Sequence, residues 1–302
     1  MRKGINCWAL PQNLSLSEQF QFAAGIGFEG IELTLTEKGA LPFDASQTFL
    51  EDVRAQAEKC GIHIHSICCS LNWQASLTSD RPEIRERAKE NIRRQVTVAK
   101  TLGAGAVLAL PGFVSVGFTS RELFADPNEQ RYFPGSEIID YETAWSRSLE
   151  AFRELAPFGQ DNEVLICPEN IWSKFLLSPM EMRYFLDEIG SPWVKAYLDV
   201  GNMLLYGYPE HWIRCLGKER IGRVHLKDFR RSVGTLAGFV DLLSGDVDFP
   251  AVIQSLRYIG YTSYLTAELN AYSHYPEQTA YHCMAAMKAI LEETEYKVGM
   301  NA

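Results

Sequence analysis

The chain has 302 residues, 46% hydrophobic, 22% charged and 12% aromatic, the balance of a globular protein and not of a disordered or fibrous one. Lys and Arg number 29 against 38 Asp and Glu, a net charge of −9, so the positive footprint of a general nucleic-acid or membrane-surface binder is missing. No apolar run approaches the roughly 20 residues that span a bilayer, and seven cysteines without a C-x-x-C pair point to reduced thiols, a cytoplasmic location and no zinc–thiolate site.

Read along the chain, Met1 to Trp8 starts basic but meets Asn6, Pro11 and Gln12 too soon for a secretory leader, and Gly4-Ile5-Asn6-Cys7 reads as a first strand. From there one punctuation recurs: helical character closes near a glycine, the residue that suits a left-handed helix end, and a short apolar strand follows. Gly27 precedes Gly30–Leu33 and Gly61 precedes Ile62–His65, with a helix expected from Ser46 to Lys59 between them. A helix over Pro82–Leu102 leads through Gly103 to Ala106–Leu110, and one over Tyr141–Pro157 leads through Gly159 to Val164–Cys167. Ser178-Pro179-Met180-Glu181 has the N-cap serine, first-turn proline and acidic residue of a helix start. Gly190, Gly217 and Gly260 then precede Ala196–Asp199, Arg223–Leu226 and Tyr264–Ala267, and Pro276–Leu291 is the closing helix.

Eight strand-then-helix units in about 300 residues is the arithmetic of a single (β/α)8 TIM barrel covering residues 1–302. A doubly wound open sheet is the alternative, but no G-x-G-x-x-G follows the first strand. Two long connections, 111–139 with Phe113, Phe118, Phe124, Tyr132 and Phe133, and 229–249, suit lids or substrate walls, with an ornamental insertion or an oligomer contact as the alternative.

Barrel strands alternate between a helix-facing apolar residue and a lumen-facing one. On that rule Val164, Ile166 and Pro168 face out and Cys167 and Glu169 face in. Tyr197 and Asp199, then Arg223, His225 and Lys227, then Thr266 and Glu268 face in on the three strands that follow. Glu169, Asp199, His225 and Glu268 thus gather at the carboxyl ends of the strands, where barrel enzymes do their chemistry. Three carboxylates crowded together need a counter-charge to stay ionised. A divalent ion supplies it, with manganese, magnesium or cobalt suiting such a donor set, and an ion-pair cluster with Lys227 and Arg231 is the simpler alternative.

Several stretches together resemble the sugar-phosphate isomerase/epimerase superfamily of xylose-isomerase-like barrels. They are Gly27-Phe28-Glu29-Gly30-Ile31-Glu32-Leu33, Cys167-Pro168-Glu169-Asn170, Leu198-Asp199-Val200-Gly201-Asn202, Val224-His225-Leu226-Lys227-Asp228, Gly245-Asp246-Val247-Asp248-Phe249-Pro250 and Leu265-Thr266-Ala267-Glu268-Leu269. The resemblance implies that Glu169, Asp199, His225 and Glu268 hold a divalent metal, Mn2+ first and Mg2+, Co2+ or Zn2+ as alternatives. It also implies that the protein epimerises or isomerises a ketose or ketose phosphate. A proton would be removed by one of Glu169 and Glu268 and returned on the opposite face by the other, through an enediolate that the ion stabilises.

Arg231 lies six residues after His225, where related epimerases place an arginine on substrate oxygens, and Asn202 stands where many place a histidine. Asn202 donates a hydrogen bond but shuttles no proton, and this Gly-Asn form is closer to the pentulose- and hexulose-phosphate branch. Lys227 is expected to touch substrate or support the ligands. His65, on the inward face of its strand with His63, is a substrate contact or a core histidine. Trp8, Trp73, Phe113 and Trp172 follow strand ends where aromatic faces suit a sugar's C–H surface. Glu32 points inward too, toward the metal or into an ion pair with Arg223 or Lys195. A lyase or dehydratase acting on a keto-inositol or 3-keto-glycoside would start with the same proton abstraction. A non-catalytic sugar-binding barrel is a further alternative, and a DNA-repair nuclease fits neither the six histidines nor the charge. Expected partners are a small sugar or sugar phosphate, no nucleic acid and no membrane, with pairing of barrels into a homo-oligomer left open.

Overall fold

The computed structural model describes residues 1–116 and 137–300. Eight parallel strands form one sheet: β1 (Arg2–Asn6), β2 (Gly30–Leu35), β3 (His63–Cys69), β4 (Ala106–Ala109), β5 (Leu165–Pro168), β6 (Ala196–Asp199), β7 (Ile221–Leu226) and β8 (Tyr264–Ala267). They pair in sequence order, β8 returns to β1, and single bridges Ile166–Val194 and Glu169–Tyr197 join β5 to the β6 side. The expected TIM barrel is therefore present, and it is nearly closed by regular pairing. Its helices are α1 (Leu16–Ile26), α2 (Gln47–Lys59), α3 (Pro82–Leu102), α4 (Tyr141–Asn162), α5 (Pro179–Ile189), α6 (Pro209–Arg220), α7 (Phe249–Tyr258) and α8 (Glu277–Met300).

Local chemistry explains the boundaries. Ser15 with Glu18 and Ser178 with Glu181 form reciprocal capping boxes at α1 and α5, and Asp140 and Asp248 cap α4 and α7. Gly27, Gly103 and Gly190 close α1, α3 and α5 in the left-handed conformation the sequence called for. Ile166, Ala196, Leu198, Val224, Leu226, Leu265 and Ala267, which alternate with the inward-facing residues, are fully buried, while Leu269, also expected to face the helices, lies past the end of β8 and is half-buried. This apolar layer between sheet and helices leaves the lumen face free to carry polar groups.

Three expectations need correction. Gly159 does not stop a helix: α4 continues through Pro157 to Asn162, and Glu163 takes the left-handed cap at φ 57°. A Cβ on Gly159 would lie 2.9 Å from the Val164 carbonyl oxygen and 3.2 Å from the Ile166 side chain, so its glycine serves close helix-to-strand packing. Gly217, at φ 65° and ψ 171°, interrupts α6 without ending it. The third strand is His63–Cys69 in place of Ile62–His65, and its register against β2 slips. Ile31 pairs Ile64 while Glu32 pairs Ser66, leaving His65 as the extra residue of a bulge.

The two long connections open as short antiparallel ribbons, Ser115–Val116 with Glu137–Ile138 and Asp228–Phe229 with Phe239–Val240. Phe118, Phe124, Tyr132 and Phe133 lie outside the described residues.

Candidate active site

The site forms where β5 to β8 end. Asp199 pairs His225 across β6 and β7, and His225 pairs Thr266 of β8, so register alone sets these side chains at one level. Glu169 and Glu268 follow one step beyond β5 and β8, held by Glu169 N–H donating to the Ala109 carbonyl and Glu268 N–H to the Leu226 carbonyl. One donor atom from each of Glu169, Asp199, His225 and Glu268 lies within 4.8 Å of the other three. Strand alternation, applied to the sequence, brought together the same four residues.

Each ligand candidate is aimed. Asp199 Oδ1 accepts the backbone N–H groups of Gly201 (2.8 Å) and Asn202 (2.7 Å), while its buried Oδ2 has no hydrogen-bond partner among the described residues. A Cβ on Gly201 would lie 2.9 Å from the Lys227 carbonyl oxygen, which is why glycine stands in this turn. His225 Nδ1 sits 3.1 Å from Glu268 Oε2, 3.3 Å from Glu169 Oε1 and 4.0 Å from Asp199 Oδ2. Lys227 Nζ makes an ion pair with Glu268 Oε2 at 2.9 Å and approaches Asp199 Oδ2 at 3.6 Å, while lying 4.6 Å from the centre of the Phe239 ring.

Electrostatics separates the carboxyl groups. Burial raises Glu169, and burial also raises Asp199 well above the ordinary carboxylate range, with neighbouring carboxyls adding to it. Burial pushes Glu268 the same way, but the Lys227 ammonium and the His225 ring overcome it and hold Glu268 well below that range. For His225, burial opposes the charge and is outweighed by Glu32 and Glu268, which raise it well above its ordinary value. Oxygen and imidazole donors, a buried carboxylate oxygen without a hydrogen bond among the described residues and crowded like charges all fit a divalent cation.

Above the four residues opens a cavity of 540 Å³, bordered by Glu169, Glu268, Lys227 and Asn202 and by the aromatic faces of Trp8, Trp73, Trp172 and Phe239. The structure thus places Trp8, Asn202 and Lys227 on its wall and leaves three other candidates elsewhere. His65 is wholly buried, stacked on Tyr264 with ring centroids 4.4 Å apart. Phe113 is buried against Trp73. Arg231 is exposed, with its guanidinium 5.2 Å from the centre of the Tyr208 ring. Glu32 pairs with neither Arg223 nor Lys195: it accepts from Ser66 and Tyr197 and faces His225 Nε2 at 3.0 Å.

Sequence reasoning passed over Asp241 and Tyr272, both on the cavity wall, whose 2.6 Å hydrogen bond ties the loop after β7 to the loop after β8. Nothing local in the sequence marks that pairing, because the two residues are 31 positions apart.

The family model described as "Xylose isomerase-like TIM barrel" matches residues 20–290. The chain belongs to that family. Within this family, a protein of Escherichia coli strain K12 carrying the provisional name L-ribulose-5-phosphate 3-epimerase SgbU is 26% identical over 271 residues, covering 88% of this chain and 87% of the relative. L-ribulose-5-phosphate 3-epimerase UlaE of Salmonella paratyphi A is 23% identical over 262 residues, covering 85% and 83%. Among solved structures, an L-ribulose 3-epimerase superposes with a TM-score of 0.77 at 18% identity, over 100% of this chain and 98% of that one. D-psicose 3-epimerase of Clostridium cellulolyticum H10, solved with D-tagatose, gives 0.73 at 18%, over 98% and 99%. These structures share the xylose isomerase-like barrel, and the relatives carry epimerase names, an isomerase class of activity.

Proposed function

We propose that this barrel is a divalent-metal-dependent epimerase or isomerase acting on a ketose or ketose phosphate. The observation that carries the reading is the pair Glu169 and Glu268: both border the cavity, and both belong to the cluster of three carboxylates and one imidazole that could hold a cation. Proton exchange on two faces of one carbon needs two such groups, one carboxylate to take a proton and one carboxylic acid to give it. The names of the curated relatives point the same way, toward C3 of a pentulose phosphate.

Glu169, Asp199, His225 and Glu268 would hold the cation, Mn2+ first, which when bound polarises the substrate's carbonyl and neighbouring hydroxyl oxygens. One of Glu169 and Glu268 removes the carbon-bound proton, and Lys227 Nζ, 2.9 Å from Glu268 Oε2, sits beside the pair. The other, protonated, returns a proton from the opposite side. Asn202, whose backbone N–H is held by Asp199, donates its side-chain N–H to a substrate oxygen. Trp8, Trp73 and Trp172 offer flat faces to the sugar's C–H surface and exclude water from the reacting carbon. Arg231, His65 and Phe113 are left out because none borders the cavity.

The test is a panel of ketoses, ketose phosphates and keto-glycosides incubated with Mn2+ and enzyme in D2O and followed by NMR. The reading expects a stereoisomer or aldose–ketose partner of equal constitution, with deuterium at the exchanged carbon. Loss of water or of an aglycone would assign the site to a lyase.

A further inference from the structure

Behind the four ligand candidates lies a second layer of polar side chains that the proposed chemistry does not use. Glu32 projects from β2, across the barrel from the strands that carry the ligands, and is fully buried. A carboxyl group there is costly unless its oxygens are satisfied. Its Oε2 accepts from the Tyr197 hydroxyl at 2.5 Å and from the Ser66 hydroxyl at 2.7 Å, and its Oε1 lies 3.0 Å from His225 Nε2. Ser66 lies 3.0 Å from His65 Nδ1, whose ring reaches Thr266 through Nε2 at 3.2 Å. His65 is the extra residue of the β3 bulge, and with that slip His65 and Ser66, adjacent in sequence, both reach lumen groups.

A neutral imidazole has one nitrogen that donates and one that accepts, and its surroundings decide which is which. An acceptor at Nε2 requires the N–H there, and the lone pair then belongs to Nδ1. Nδ1 is the nitrogen that faces Glu268, Glu169 and Asp199. We propose that Glu32 is a positioning residue that fixes His225 in the Nε2–H form, with Nδ1 presented to the cation, and that Tyr197 and Ser66 hold Glu32 in place for that task. The proposal rests on the reading that the four residues bind a divalent ion.

The test measures Mn2+ dissociation constants by titration with detection of free Mn2+ by electron paramagnetic resonance, on the full chain stripped of metal. Glu32→Gln is expected to weaken binding by roughly 10- to 100-fold, the range for such supporting partners, with Tyr197→Phe and Ser66→Ala weaker in the same direction. In a His225→Gln background Glu32→Gln should change affinity no further, which a merely structural role would not produce. If Glu32→Gln fails to fold, Tyr197→Phe, with its melting temperature as a control, carries the comparison. With Zn2+ bound and histidine labelled with 15N, the His225 ring should show Nε2 protonated and Nδ1 metal-bound. Unchanged affinity in Tyr197→Phe and Glu32→Gln, an equal loss in the His225→Gln background, or metal on Nε2 would overturn the proposal. Failure of the unmutated protein to bind Mn2+ at these residues would instead overturn the site reading beneath it.

Discussion

Asn170 and Asp199 clasp one another across the one gap in regular strand pairing: Asn170 Oδ1 accepts the Asp199 N–H at 2.8 Å, and Asn170 Nδ2 donates to the Asp199 carbonyl at 2.8 Å. An amide supplies one acceptor and one donor on adjacent atoms, so it stands in for a neighbouring strand's backbone where β5 and β6 do not form a regular ladder. Because Asn170 follows Glu169 directly, the clasp also sets the spacing between two ligand candidates. Asn170→Ala should leave a buried N–H and C=O without partners, lowering the stability of the metal-free protein by about 1–3 kcal/mol, read as a lower urea midpoint.

The loop after β7 depends on Asp228 in a comparable way. Asp228 Oδ1 accepts from the N–H groups of Phe229 (2.8 Å) and Val247 (3.2 Å), and Oδ2 from that of Gly245 (2.8 Å). A Cβ on Gly245 would collide with the Asp228 carboxylate, so the glycine and the acid form one cradle. The loop so held carries Leu236, Phe239, Val240 and Asp241 to the cavity wall. Asp228→Ala should therefore raise KM for substrate more than it lowers kcat, as steady-state kinetics at saturating Mn2+ would show.

His65 gives the protein a pH-dependent term of known sign. Burial, with Arg223 nearby adding to it, holds this histidine well below its ordinary value, so the folded state keeps it neutral. The unfolded chain binds the proton more readily, so the contribution is present above the unfolded value near 6.5 and is lost as pH falls below it. The loss approaches about 1.4 kcal/mol per pH unit while the folded state stays unprotonated. Urea midpoints measured from pH 7.5 to 5 should fall less steeply in His65→Gln than in the unmutated protein. Equal slopes would mean that His65 takes up its proton without unfolding.

Much of this architecture was legible because it rests on local chemistry. Glycine helix ends, serine caps and two-residue alternation gave the barrel, and alternation on β5 to β8 selected Glu169, Asp199, His225 and Glu268 as a group. Where the reading fails, the deciding contact lies outside the local pattern that the sequence displays. Of the two readings of Glu32, support of the metal or an ion pair with Arg223 or Lys195, the ion pair is the one not found: its partners are hydroxyl groups and an imidazole as far as 193 residues away. Strict alternation could not foresee the β3 bulge, which turns Ser66 inward beside His65. Gly159 resembled a helix stop because the letter is the same whether glycine supplies a left-handed turn or, as here, a surface flat enough for a strand.

The two proposed proton-transfer groups make a matched kinetic prediction. At saturating Mn2+, Glu169→Gln and Glu268→Gln should each lower turnover by roughly 100- to 10,000-fold, the range for losing a positioned acid or base. Solvent deuterium uptake should fail along with turnover. If both variants kept full turnover and full uptake, the assignment of the pair would be wrong.

The central claim is that Glu169, Asp199, His225 and Glu268 share one divalent cation. Crystals grown with Mn2+ and measured at the manganese absorption edge test it directly. The account predicts a single anomalous peak among one oxygen from each of the three carboxylates and Nδ1 of His225. An electron-density map with those side chains ordered, saturating Mn2+ in the crystal and no anomalous peak between them would contradict it.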